Sequence, residues 1–309
     1  MTRRGWLLFA VLGVIWGLPY LFIKISVREV SPAFLVLVRT GGAAILLVPL
    51  AAARGALLPV LRRWRWLLGY TVAEIAVPWF ILFNAERHLS SSLTGLLIAA
   101  VPLVGAVLAV MTGTDRLDAR RVAGLALGMA GVVALVGLDT AGSSLLAAVS
   151  LGVVAVGYAG GPWILAQRLS DLPGLGVVAS SLVLCTVIYA PVAAFQLPHG
   201  ALSGSVIGSM AALSVVCTAA AFLVFFALVG EVGAMRTTVI TYVNPAVAVV
   251  LGVVVLGEKF GLGTGVGFVL ILGGSFLGTK PLRGRARPAG EDQPVRAGAV
   301  AAGEVNAAG

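Results

Sequence analysis

The residue best placed for chemistry in this 309-residue chain is a glutamate inside an apolar run. Glu74 lies in YTVAEIAVPWF, Tyr70 to Phe80, with Pro78 four residues after it. A carboxylate set in so apolar a stretch pairs with a cation, takes up a proton or faces water. Arg39 is the expected partner. Two antiparallel helices joined by a short link, rising about 1.5 Å per residue, would bring the two within an arginine's reach. Two readings stand at this point: a static ion pair locking two helices, or a Glu74 that accepts a proton or a substrate amine.

Aromatic and polar residues recur around other irregular points. Trp16, Tyr20 and Lys24 follow at i, i+4 and i+8 and share one helix face. They suit either a ligand grip through ring faces or an interfacial belt. Tyr158 precedes Gly160-Gly161-Pro162-Trp163, an expected kink that mirrors Pro19 in the first helix. Thr237, Thr241 and Asn244, with Thr238 and Tyr242 beside them, make a polar strip next to Pro245. Pro19, Pro78, Pro102, Pro162 and Pro245 are the expected helix breaks, since each removes an amide donor and frees a carbonyl four residues earlier. The expected substrate-binding set is therefore Trp16, Tyr20, Glu74, Tyr158, Trp163, Tyr242 and Asn244. The competing reading of each is packing between helices. No His, Cys or carboxylate cluster has catalytic or metal-ligand spacing, so an enzyme, a metal site or a cofactor is not expected. Cys185 and Cys217 read as small apolar residues.

The elements that would hold these residues follow from composition. With 60% hydrophobic residues, 11% charged and a mean hydropathy of +1.07, the chain carries more apolar surface than a soluble globule can hide. An all-α integral membrane protein is expected, because the dyad alternation of a β-barrel is absent. Apolar runs give ten spans: 5–23, 32–53, 66–86, 90–112, 121–138, 144–166, 174–196, 206–229, 234–256 and 261–279. The net charge of +9 reads as sidedness rather than as nucleic-acid binding. Of 21 Lys and Arg, only Lys24, Arg28, Arg87 and Lys259 fall in one set of loops and Arg39 within a span. The rest lie on the other side, which places both termini in the cytoplasm. Residues 280–309, rich in Ala, Gly, Pro and charge, read as a disordered cytoplasmic tail.

A repeat organises the spans. Thr94 to Gly131 slides without a gap onto Thr237 to Gly274, 143 residues later, superposing Pro102 on Pro245, Asp115-Arg116 on Glu258-Lys259, Gly124 on Gly267 and Gly131 on Gly274. Residues 1–139 and 140–279 thus form two five-helix repeats. An odd number of spans inverts the second relative to the first, an arrangement suited to alternating access around a shared site. Gly124-xxx-Gly128, Gly261-xxx-Gly265 and Gly263-xxx-Gly267 provide small-residue faces for helix packing or dimerisation. They leave monomer and homodimer undecided.

Ile15 to Leu47, IWGLPYLFIKISVREVSPAFLVLVRTGGAAILL, resembles the first two helices of the EamA-like family in the drug/metabolite transporter superfamily. Trp16-Gly17, Lys24, Pro32 and Arg39 carry the likeness, with Pro102 and Asp115-Arg116, then Asn244-Pro245 and Gly257-Glu258-Lys259, extending it from Trp6 to Gly278. The resemblance implies ten helices in inverted repeats around a central cavity, and an exporter of amino acids, metabolites or toxic compounds. The expectation is a secondary transporter in the plasma or inner membrane whose partners are a small-molecule substrate, the bilayer and coupling protons taken up at Glu74. The alternatives are an exchanger of organic anions or phosphorylated solutes, which needs several cavity cations, and a non-transporting membrane sensor or scaffold.

Overall fold

A computed structural model describes residues 2–113, 118–139, 145–233 and 237–279, and they are helical with no strand among them. The longer helices are α1 (Arg3–Ser26), α2 (Pro32–Ala53), α3 (Trp64–Ala85), α4 (Ser91–Met111), α5 (Ala119–Asp139), α6 (Leu145–Leu169), α7 (Gly174–Ala194), α8 (Gly204–Val232), α9 (Asn244–Leu256) and α10 (Leu262–Thr279), with a short helix at Leu57–Leu61 before α3. Seven of them, α1 to α4 and α6 to α8, are long and apolar enough to cross a membrane. Asp115-Arg116 and the tail from Lys280 lie outside the described residues.

Local chemistry sets the ends. The Ser31, Ser90 and Ser203 side chains each accept a hydrogen bond from the amide three residues on, satisfying donors that the first turn leaves open. Pro32 follows Ser31 at the first helical position, where its missing N–H costs nothing. At the other end of the chain, Gly257 takes φ 67°, a left-handed conformation that closes α9 and turns Glu258 back toward α4.

The two halves pack by one pattern run twice. α1 contacts α8 and α9, while α6 contacts α3 and α4; α2 contacts α8 as α7 contacts α3. α2 with α7, α4 with α9, and α5 with α10 pair across the pseudo-symmetry itself. The irregularities repeat in the same register. A π segment at Val72–Ala76 in α3 has its counterpart at Val215–Ala220 in α8. α4 breaks at Ala99–Ala100 before Pro102, and a 3-10 turn at Thr238–Tyr242 precedes Asn244-Pro245. These keep the offset of 143 residues, whereas the π segment at Leu165–Leu169 ending α6 has no counterpart in α1.

The expected proline breaks separate into two kinds. Pro102 and Pro245 stand at true interruptions, whereas Pro19 and Pro162 sit inside continuous α-helix. Pro78 follows the π segment rather than breaking α3. Losing one amide donor costs a membrane helix less than abandoning its ladder, so an isolated proline is absorbed. The glycine spacing also resolves. A methyl group at Gly124 or Gly274 would strike backbone of the facing helix, so α5 and α10 meet glycine to glycine within one chain. Gly265 meets only the Phe260 ring instead.

Candidate functional site

The π segment of α8 prepares the site's cation. Thr218, inside that segment and fully buried, donates its hydroxyl to the Leu213 carbonyl at 2.8 Å. Its oxygen then accepts the Arg39 Nε–H at 3.0 Å. The guanidinium lies over the Trp79 ring, 3.7 Å from its centroid, with Phe83 at 5.8 Å. Arg39 is only 6% exposed. A desolvated cation held by one hydroxyl and a tryptophan face is a strong cation–π arrangement, and here it spans both halves, α2 and α3 with α8.

Arg39 does not pair with Glu74. An ion pair forms instead at the surface, between Arg63 and Asp171. The π turn changes the phase of α3 between Glu74 and Trp79, so a wheel drawn at 3.6 residues per turn misplaces residues across it. Trp79 takes the place opposite Arg39. Glu74 instead packs on α6, where a methyl group at Gly161 would run into its carboxylate. Gly157, one turn earlier, clears the Ala73 carbonyl and the Pro78 ring in the same way. The Glu74 Oε2 is buried without a hydrogen-bond partner.

A second carboxylate is buried more deeply. Glu86, just past α3, is 0% exposed and both of its oxygens lack a hydrogen-bond partner. Lys24, Glu258 and Arg39 are the charges whose fields reach it. The Lys24 ammonium donates to the carbonyls of Glu86 and Leu89 at 2.6 and 2.7 Å, fastening α1 to the α3–α4 link. Nearby, the Glu258 carboxylate accepts from the Ser91 and Ser92 amides at 2.7 and 2.9 Å and from the Ser92 hydroxyl at 2.5 Å. It thereby caps α4, complementing the positive end of that helix.

The expected substrate residues divide. Tyr20 is buried with its ring against Gly95, and Tyr158 lies beside the Trp79 indole, so both belong to the Arg39 neighbourhood. Trp16 does not. It packs on Phe225 at 5.3 Å in a separate apolar cluster with Leu12 and Leu228. Trp163 is 43% exposed on the outside of α6. With its amide turned so that the nitrogen faces them, Asn244 donates to the Gly13 and Ile240 carbonyls at 3.3 and 3.1 Å, which ties the α9 break to α1. Tyr242 is half-buried at that break. Thr237 donates to the Gly233 carbonyl at 3.0 Å, a bond within its own turn.

Sequence reasoning missed Thr218 and Glu86. Glu86 falls on the boundary of an expected span, where a carboxylate looks like a loop residue. Thr218 is signalled only by its place in an apolar run, and its role depends on the π turn.

No curated protein is similar enough in sequence to match this chain. A solved structure, described only as the crystal structure of a protein, superposes with a TM-score of 0.65 at 22% identity, covering 90% of this chain and 98% of that one. At that identity the likeness speaks to the fold. The model of the EamA-like transporter family matches twice, over residues 3–137 and 146–279, one match for each five-helix half. With nearly all of the described helices inside those two matches, this multi-pass membrane protein belongs to the EamA-like transporter family.

Proposed function

We propose that the chain is a secondary transporter that exports a small organic solute bearing a carboxylate. In this reading all ten helices cross the plasma or inner membrane, both termini are cytoplasmic, and the halves rock around the Arg39 neighbourhood. The observation that carries the proposal is the buried guanidinium shared between the halves. Its Nε–H is committed to Thr218 and its face to Trp79, which leaves the fork of two terminal nitrogens suited to a carboxylate. Tyr20 and Tyr158 add ring surface to the same neighbourhood. Because Thr218 belongs to the second half and Trp79 to the first, any rocking of the halves changes the groups around the cation.

Glu74 is the proposed proton site. Its unpartnered oxygen against Gly161 gives the carboxylate nothing to lose on protonation, and a neutral Glu74 would sit there without an uncompensated charge. Exchange of multiply charged anions is disfavoured by one contact in particular: the Lys24 ammonium is already held by two carbonyls.

The test compares solutes accumulating outside cells that overproduce wild type, Arg39→Leu or Glu74→Gln at matched membrane levels, by untargeted mass spectrometry. Enrichment of a carboxylate-bearing solute by wild type and not by Arg39→Leu supports the reading. Equal enrichment by all three would remove Arg39 and Glu74 from the mechanism. A Glu74→Gln protein that transports at the wild-type rate at every pH ends the proton-coupling part alone.

A further inference from the structure

Far from Arg39, at the start of α3, five consecutive residues, Arg62-Arg63-Trp64-Arg65-Trp66, wall a hollow of about 520 Å³, closed from the other side by Gln167 and Arg168 at the end of α6. Two membrane-length helices end here, so the hollow lies at the level where a leaflet's headgroups begin.

The groups in it are unequally committed. The Arg63 guanidinium makes a two-pronged contact with Asp171, 2.7 Å on each side, and also donates to the Arg168 carbonyl at 2.8 Å. Arg168 lies over the Trp66 ring at 4.4 Å, and Arg65 stands 5.6 Å from the Trp64 centroid. Four arginines thus face one acid. Trp64 and Trp66 are 56% and 42% exposed, which is unfavourable in water and favoured at a headgroup boundary. Just before them, the short helix Leu57–Leu61 turns Leu58 and Leu61 outward while Val60 is buried. Apolar side chains beside a cationic hollow match the two ends of one amphiphile.

We infer that this hollow binds the phosphodiester headgroup of an anionic phospholipid, its phosphate taken by Arg62 and Arg65 and its acyl chains lying over Leu58 and Leu61. Arginine forks suit phosphate oxygens, and Arg63 and Arg168, fixed by Asp171 and Trp66, keep the wall in shape. The site is independent of the transported solute. It would tie the α3 and α6 ends, one from each half, to the composition of the leaflet around them.

The test uses the full chain in phosphatidylcholine vesicles with and without phosphatidylglycerol, each lipid supplied in a brominated form that quenches nearby tryptophan. Stronger quenching by brominated phosphatidylglycerol is expected. Each basic residue at an anionic surface contributes about fivefold, so Arg62→Gln with Arg65→Gln should lower that preference by about thirtyfold. The paired lysine variants, which keep the charge, should retain most of it. Circular dichroism and unreduced quenching by brominated phosphatidylcholine confirm that the glutamine variant is folded. Equal quenching by the two lipids, or a preference unchanged within about twofold in the glutamine variant, overturns the inference. So does loss of the preference on adding inorganic phosphate, which would make this a site for soluble anions.

Discussion

The two halves share a scaffold and differ in chemistry. Moving 143 residues along the chain takes Tyr20 to Trp163, Arg39 to Leu182, Glu74 to Cys217, Trp79 to Phe222 and Glu86 to Val229. The guanidinium and the carboxylates of the Arg39 neighbourhood come from the first half. The second half contributes shape and neutral hydroxyls, Thr218 against Arg39 and Tyr158 beside Trp79. Two copies that began alike can keep their packing pattern, because backbone geometry and small residues set it, while only one keeps the groups that are costly to bury. The ties between halves tell the same story at the surface. Glu29, after α1, accepts from the Ser203 amide at the start of α8. In the other half the loop after α6 uses Asp171 and the Arg63 side chain at the start of α3. The placement is equivalent and the chemistry is not.

The sharpest way to break this comparison is to give the first half the second half's residue. Arg39→Leu should leave the fold intact, since an apolar replacement of a buried charge is often neutral or stabilising. Flux of the exported solute should fall by roughly ten- to a hundredfold, the worth of a lost charged hydrogen bond. Leu182→Val, at the equivalent place, should transport normally. If both variants behave alike in a vesicle flux assay, the asymmetry is not functional.

A glycine pair probes the scaffold instead. Gly17 and Gly160 are equivalent, yet a methyl group at Gly17 would collide with Val247 and one at Gly160 meets nothing within 4 Å. Gly17→Ala should destabilise by about 1–3 kcal/mol. Gly160→Ala should be neutral or stabilise by up to about 1 kcal/mol through helix propensity. Unfolding in detergent at a series of denaturant concentrations reads both.

Two buried or capping carboxylates make a smaller contrast. Glu258→Ala removes the cap on α4 and should cost about 1–2 kcal/mol. Glu86→Gln removes no hydrogen bond and should leave the unfolding midpoint unchanged or raise it. A midpoint lowered by Glu86→Gln would mean that its charge is compensated after all.

The surface ties give the smallest effects. Asp171→Asn should cost less than about 1 kcal/mol, as its pair with Arg63 is half exposed. Hydrogen bonds from Ser203 hold the Glu29 carboxyl below its ordinary value of 4.5. A lowered folded value stabilises above that ordinary value, and the contribution disappears as pH falls through the folded one. Glu29→Gln should therefore lower stability slightly at neutral pH, leave the most acid region unchanged, and so flatten the acid limb of a stability–pH profile.

The membrane class, the repeat and the α4 and α9 breaks were legible in the sequence because they rest on composition, offset and proline, which need no knowledge of rotation. The site was legible in part. Glu74, Arg39, Tyr20 and Tyr158 stood out as polar residues in apolar runs, but their partners depend on helix phase. Nothing in VVCTAA or VAEIA announces a π turn, and one surplus residue in a turn is enough to exchange Glu74 for Trp79 opposite Arg39. Trp16 was singled out by sharing a helix face with Tyr20 and Lys24, and Trp163 by following Pro162, but an apolar packing site accepts a tryptophan as readily as a cavity does.

The glycine contact between α5 and α10 has a mechanical consequence. Most helix interfaces adjust by changing side-chain rotamers as the helices slide or tilt. Where Gly124 and Gly274 bring backbone against backbone there are no rotamers to change, so the pair has one register and resists shear. Such a seam acts as a keel: α5 and α10 keep their alignment, and tilting is left to the helices whose contacts run through flexible side chains.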